Sequence, residues 1–115
     1  MNKTVSLKKN TDFRLVYNKG KSLADKYLVM YILKNGSQSN RLGISVSKKV
    51  GNSVIRHRIT RLVRESYRIN EDLFDPGYDI VFIARIRAGS ADFHEIQRSV
   101  LKLSGLHGIK TMPQE

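Results

Sequence analysis

The sequence predicts an α+β domain, a two-layer sandwich in the order αβββαβα on a mainly antiparallel four-stranded sheet. Three observations carry this. The chain has 115 residues, 40% hydrophobic and 27% charged, which suits one globular core and is short for two. Its apolar residues switch between helical and strand periods along the chain. Turn signals separate the segments, and helices packed on such a sheet make a two-layer domain.

Asn10-Thr11-Asp12 offers a helix start and Gly20 a stop. Between them Phe13, Val16 and Tyr17 share one face. As a pattern, that face reads first as core. Lys8, Lys9, Arg14, Lys19 and Lys21 make the surroundings basic. A short strand is expected over 21–24, and a stronger one over 27–33, rich in aromatic and β-branched residues. There Tyr27, Val29, Tyr31 and Leu33 point one way and Leu28, Met30 and Ile32 the other. Asn35-Gly36 signals a hairpin, with the polar run to Asn40 allowing a longer loop.

Arg41 to Ser47 alternates. Leu42, Ile44 and Val46 form an apolar face, and Arg41, Gly43, Ser45 and Ser47 a small polar one. Small residues leave room for a ligand to lie against the sheet; an ordinary solvated face gives the same pattern. Asn52 or Ser53 caps the next helix. Ile55, Ile59, Leu62, Ser66 and Ile69 form its predicted buried stripe, opposite His57, Arg61, Arg64 and Arg68. Asn70 to Gly77 is an acidic turn, and Tyr78 to Ala84 an inner strand, apolar on both parities from Ile80. Ser90 is the expected cap of a last helix, with Phe93, Ile96, Val100 and Leu103 buried and Gly105 and Gly108 fraying its end. Residues 1–6 and 109–115 are expected to be loose ends of a single domain spanning 1–115.

The charge is concentrated. From Ser45 to Arg68 there are seven cations (Lys48, Lys49, Arg56, Arg58, Arg61, Arg64 and Arg68) and one acid, Glu65. That local +6 is over half of the formal net charge of +11, and the pI near 10.2 is at the level of nucleic-acid-binding domains. Guanidinium forks pair bidentately with phosphate, and a helix N-terminus adds free N–H groups. One glutamate, even paired with Arg61 or Arg68, cannot neutralise the ridge. The pattern reads as a polyanion surface, and exposed aromatics favour unpaired RNA over DNA.

Other chemistry finds little support. The absence of cysteine excludes disulfides, thiolate metal sites and cysteine nucleophiles. His57, His94 and His107 are scattered without ligand spacing, the carboxylates form no magnesium-gripping cluster, and there is no phosphate-binding loop motif. Neither a signal-peptide apolar region nor a run of roughly 20 apolar residues is present, so a cytoplasmic protein is expected, with no membrane partner.

The segment Ser47-Lys48-Lys49-Val50-Gly51-Asn52-Ser53-Val54-Ile55-Arg56-His57-Arg58-Ile59-Thr60-Arg61-Leu62-Val63-Arg64-Glu65 resembles the signature of the bacterial ribonuclease P protein subunit. Leu7-Lys8-Lys9-Asn10-Thr11-Asp12-Phe13 and Val29-Met30-Tyr31 support it, and the likeness spans residues 7 to 104. It implies a sheet fold like the second domain of a small-subunit ribosomal protein, with a left-handed crossover through the basic helix. It also implies a 1:1 partnership with a catalytic RNA that carries the active centre and its Mg2+, the protein itself holding no catalytic residue, metal or cofactor. Lys48, Lys49, Asn52, Arg56, His57, Arg58, Arg61, Arg64 and Arg68 would contact that RNA. Phe13, Tyr17, Tyr31, Ser45 and Ser47 would line a cleft for the 5′ leader of precursor tRNA. His57 departs from the family's Arg-Asn-Arg core, so the amide contact of that asparagine is not carried over. The competing reading is a non-catalytic ribosomal or ribosome-assembly protein; a DNA-binding protein is a third.

Overall fold

The computed structural model describes residues 4–110. They form strands β1 (Val5–Ser6), β2 (Lys21–Ala24), β3 (Leu28–Lys34), β4 (Arg41–Ser45) and β5 (Tyr78–Ala84), and helices α1 (Asn10–Lys19), α2 (Ser53–Ile69) and α3 (Phe93–His107). The expected tail at 111–115 lies outside the described residues, as do residues 1–3.

The sheet order is β1-β4-β5-β3-β2. This corrects the predicted four-stranded, mainly antiparallel sheet. β1–β4 and β4–β5 are parallel, whereas β5–β3 and β3–β2 are antiparallel. The cause lies in β5. Ile80, Val81 and Phe82 are all fully buried, so this run gains most where both its faces are covered and both its edges paired. It inserts between β3 and β4 and displaces the hairpin suggested by Asn35-Gly36. Gly36 still turns the chain, at φ 73°, a conformation glycine adopts without steric cost.

The helices divide between the two faces, which corrects the two-layer expectation. α2 and α3 cover Leu28, Met30, Ile32, Ile80 and Phe82 on one side. On the other, Val16 of α1 packs with Leu7 and Val81, flanked by Phe13, Tyr31, Leu33 and Ile83. Each fully buried aliphatic side chain contributes about 1.5–3 kcal/mol. α1 covers only part of its face, and the aromatic cleft opens beside it.

Three local readings change. The buried stripe of α2 is Ile59, Val63, Ser66 and Tyr67, whereas Ile69 is 55% exposed. Tyr67 can sit inside because its hydroxyl meets Thr4 Oγ1 at 2.7 Å and accepts from Asn40 Nδ2 at 3.2 Å. Its ring also rests 4.6 Å from that of Phe74, so both its polar tip and its apolar body are satisfied. α3 is capped by Asp92, in a reciprocal box with Glu95, and not by Ser90. Its end does not fray at Gly105; Gly108 closes it in the left-handed conformation at φ 77°.

The ends are also more ordered than expected. Val5–Ser6 pairs with Arg41 and Leu42, and the Thr4 amide donates to Glu71 Oε2 at 2.9 Å. At the other end Ile109 is 1% exposed and Lys110 bridges to Phe74. The expectation of looseness therefore fails for residues 4–6, 109 and 110.

One polar group in the sheet stands out. Asp79 is 2% exposed and receives Arg41 Nε at 2.7 Å and Nη2 at 2.6 Å, with Asn35 Nδ2 at 3.1 Å. Asp79 holds the Arg41 guanidinium more firmly charged than usual, and Asp12 adds a weaker contact at 3.3 Å. Removing the arginine strands a buried carboxylate. Arg41→Ala is therefore expected to cost about 3 kcal/mol, read as a lower denaturation midpoint with an unchanged denaturant slope.

Candidate nucleic-acid interface

α2 presents the basic ridge. Its N-cap Asn52 accepts from the Ile55 amide at 3.0 Å, and no acidic residue occupies the first turn. The positive end of the helix is thus left open to an anion. His57, Arg61, Arg64 and Arg68 are exposed along one side, and Lys48 and Lys49 are exposed in the turn that leads into the helix. Among the described residues no salt bridge engages Arg61 or Arg64, while Arg68 meets Glu65 at 2.5 Å on the surface. An exposed pair of this kind contributes little and leaves Arg68 able to exchange its partner for phosphate.

Two predicted ridge residues have other commitments. Arg58 is half-buried and donates from Nη1 to Ala91 O at 3.0 Å and from Nη2 to Gly89 O at 3.1 Å. It ties α2 to the turn before α3. Arg56 donates to Gly51 O at 3.0 Å, bracing the helix entry. Hydrogen bonds from a charged donor are worth about 1.5–3 kcal/mol, reduced here by partial exposure. Arg58→Ala is accordingly expected to lower the thermal midpoint of the free protein, whereas Arg61→Ala leaves it within error.

On the opposite face the aromatic residues come together. Phe13 and Tyr17 have ring centroids 6.3 Å apart, and Tyr17 meets Tyr31 edge-on at 5.1 Å. Phe13 can pack against β4 because position 43 is glycine. A Cβ there would stand 2.6 Å from Phe13 Cζ. The small face of β4 thus accommodates a ring of the protein itself and, next to it, an open concavity of about 370 Å³ bounded by Asn10, Phe13, Arg14, Tyr17, Ile44 and Ser45. Tyr31 touches Tyr17 but does not line the concavity. Burial raises the Tyr17 hydroxyl above the usual tyrosine range, with the neighbouring Ser45 hydroxyl opposing the shift. Tyr17 therefore stays uncharged through and beyond neutral pH, as a stacking platform requires.

Ser47 does not join this cleft. It is exposed beyond the end of β4, lining a separate depression with Lys26, Lys49, Arg85 and Arg87. Those last two arginines, with Lys26, were missed from sequence. The available signal was Arg85-Ile86-Arg87 directly after a strand, with Ile86 68% exposed. Among the described residues no cluster of side chains is arranged to hold a metal ion, and no helix is long and apolar enough to cross a membrane.

A helix edged with unpaired arginines on one side, and uncharged aromatic rings beside a shallow cleft on the other, define an RNA-binding protein. The family model described as Ribonuclease P matches residues 1–106. The chain is 55% identical over 103 residues to the ribonuclease P protein component of Clostridioides difficile strain 630, covering 89% of this chain and 90% of that one. Among solved structures, the RNase P protein of Staphylococcus aureus superposes with a TM-score of 0.87 at 36% identity, covering 95% of this chain and 100% of the other. That of Thermotoga maritima gives 0.80 at 36% identity, over 86% and 94%. The chain belongs to the ribonuclease P protein family, the protein components of an endoribonuclease that acts in tRNA processing.

Proposed function

We propose that this chain is the protein partner in a 1:1 complex with a ribonuclease P RNA. In that complex it binds the RNA through α2 and grips the 5′ leader of precursor tRNA in the cleft beside Phe13 and Tyr17. The RNA subunit supplies the catalytic centre together with Mg2+, and the complex acts in the cytoplasm. The observation that carries the reading is the separation of two unlike surfaces. The ridge of His57, Arg61, Arg64 and Arg68 is charged and shaped by one helix, which suits a phosphate backbone. The cleft of Phe13, Tyr17 and Ser45 is built on aromatic rings, with Arg14 the one charged group in its wall, which suits splayed bases.

A division of labour follows. Base stacking on an aromatic ring is worth about 1–3 kcal/mol per base, available only while the leader is attached. Binding energy from the leader thus favours substrate over matured product without any protein group reaching the scissile phosphate. Lys48, Lys49 and Asn52, exposed in the turn between β4 and α2, would extend the ridge's contact with the RNA backbone.

The test is reconstitution. Purified chain added to a ribonuclease P RNA should promote cleavage of precursor tRNA at the mature 5′ end, and the chain freed of RNA should cleave nothing. Processing that persists after removal of all RNA would overturn the placement of the active centre. Co-purification with ribosomal particles, without stimulation of tRNA maturation, would favour a ribosomal or assembly role instead.

A further inference from the structure

A second, larger groove of about 830 Å³ runs between the later turns of α2 and the β1–β4 edge. It touches the cleft beside Tyr17 only through Phe13 and Ile44. Its wall includes the apolar Leu42, Ile44 and Phe13, and Val5, 53% exposed, lines it as well. Arg64 and Arg68 line it from α2, both exposed. The Glu71 carboxylate, whose Oε2 holds the Thr4 amide, also lines the groove.

We infer that this groove receives one unpaired nucleotide of the ribonuclease P RNA, with its base against Leu42, Ile44 and Phe13 and its phosphate on Arg64 and Arg68. The mixture of groups selects this occupant. A site for phosphate alone would not place a carboxylate beside two guanidiniums, because like charges repel. An apolar ligand would have no use for the arginines. A nucleotide has both halves: a flat base to bury, an anionic phosphate for the fork-shaped guanidiniums, and exocyclic N–H donors that a carboxylate can accept. The space is within the range of about 300–1,000 Å³ typical of small-ligand pockets, and a base inside a duplex could not enter it. Only a splayed nucleotide fits. The inference rests on the reading that α2 faces that RNA, since Arg64 and Arg68 belong to both surfaces.

Two positions separate the possibilities in the reconstituted complex. The photo-crosslinker p-benzoylphenylalanine placed at Val5 should capture a single unpaired position of the RNA, and placed at His57 it should capture the RNA along the ridge. Val5→Trp, which fills the groove, should weaken RNA binding by about fivefold or more while the melting of the free chain is unchanged. Crosslinking from His57 but not from Val5, capture spread over base-paired stems, or unaltered RNA affinity of Val5→Trp would overturn the groove assignment and leave the ridge intact. Failure of both crosslinks would remove the ridge reading and this inference with it.

Discussion

Replacing Arg61, Arg64 and Arg68 together by alanine is expected to weaken binding to the ribonuclease P RNA by roughly ten- to a hundredfold at moderate salt. The slope of log affinity against log salt should also fall by about one for each phosphate that the protein no longer neutralises. The reasoning is electrostatic. All three side chains are exposed, and only Arg68 has a carboxylate partner in the described residues. Their charge is therefore available to displace counterions from the RNA. The fold should not suffer, because none of the three contributes to the buried stripe of Ile59, Val63, Ser66 and Tyr67. Calorimetry or filter binding across a salt series, beside a melting curve of the free protein, checks both halves. An unchanged slope would mean that the ridge is only a solvated helix face.

The second large effect is expected at Tyr17. Tyr17→Ala should reduce affinity of the reconstituted complex for precursor tRNA by roughly tenfold, as the loss of one stacked base implies. Mature tRNA has no leader, and its binding should be unaffected. Tyr17 is the cleaner site for this test than Phe13. Tyr17 is 36% exposed, whereas Phe13 fills the space above Gly43 and takes part in the smaller core, so removal of Phe13 would also loosen α1. Ser45→Ala, next to the Tyr17 hydroxyl, should have a smaller effect of the same sign. Equal losses for precursor and mature tRNA would remove the leader from this cleft.

How far these surfaces could be read from sequence depends on how local their causes are. The spacing of His57, Arg61, Arg64 and Arg68 is a property of one helix, and all four are exposed along α2. The Asn52 cap and the span of β5 over Tyr78–Ala84 were likewise legible, each resting on a few adjacent residues. What stayed hidden depends on partners distant in the chain. Val5–Ser6 is too short to show a period, and becomes a strand only because Arg41 and Leu42 lie alongside. The position of β5 between β3 and β4 is a matter of pairing, which alternation along a single strand does not encode. Arg58 looks like any other ridge cation until Gly89 and Ala91, 31 and 33 residues downstream, present their carbonyls to it.

The aromatic site shows the same division. Phe13 and Tyr17 at helical spacing read first as core, and the structure gives them different shares of core and cleft. Phe13 is half-buried over a glycine, Tyr17 remains open to solvent, and Tyr31 supports it from β3. Ser47 had the right parity to join them. β4 ends at Ser45, however, and the turn carries Ser47 towards Lys49 and Arg87. Parity assigns a face only while the strand continues.

Leader capture by this chain is tested most directly by the affinities of precursor and mature tRNA for the ribonuclease P RNA, measured with and without the protein under one set of ionic conditions. With the protein present, precursor should bind more tightly than mature tRNA, by a margin about tenfold greater than with the RNA alone. A margin that is the same with and without the chain would contradict it.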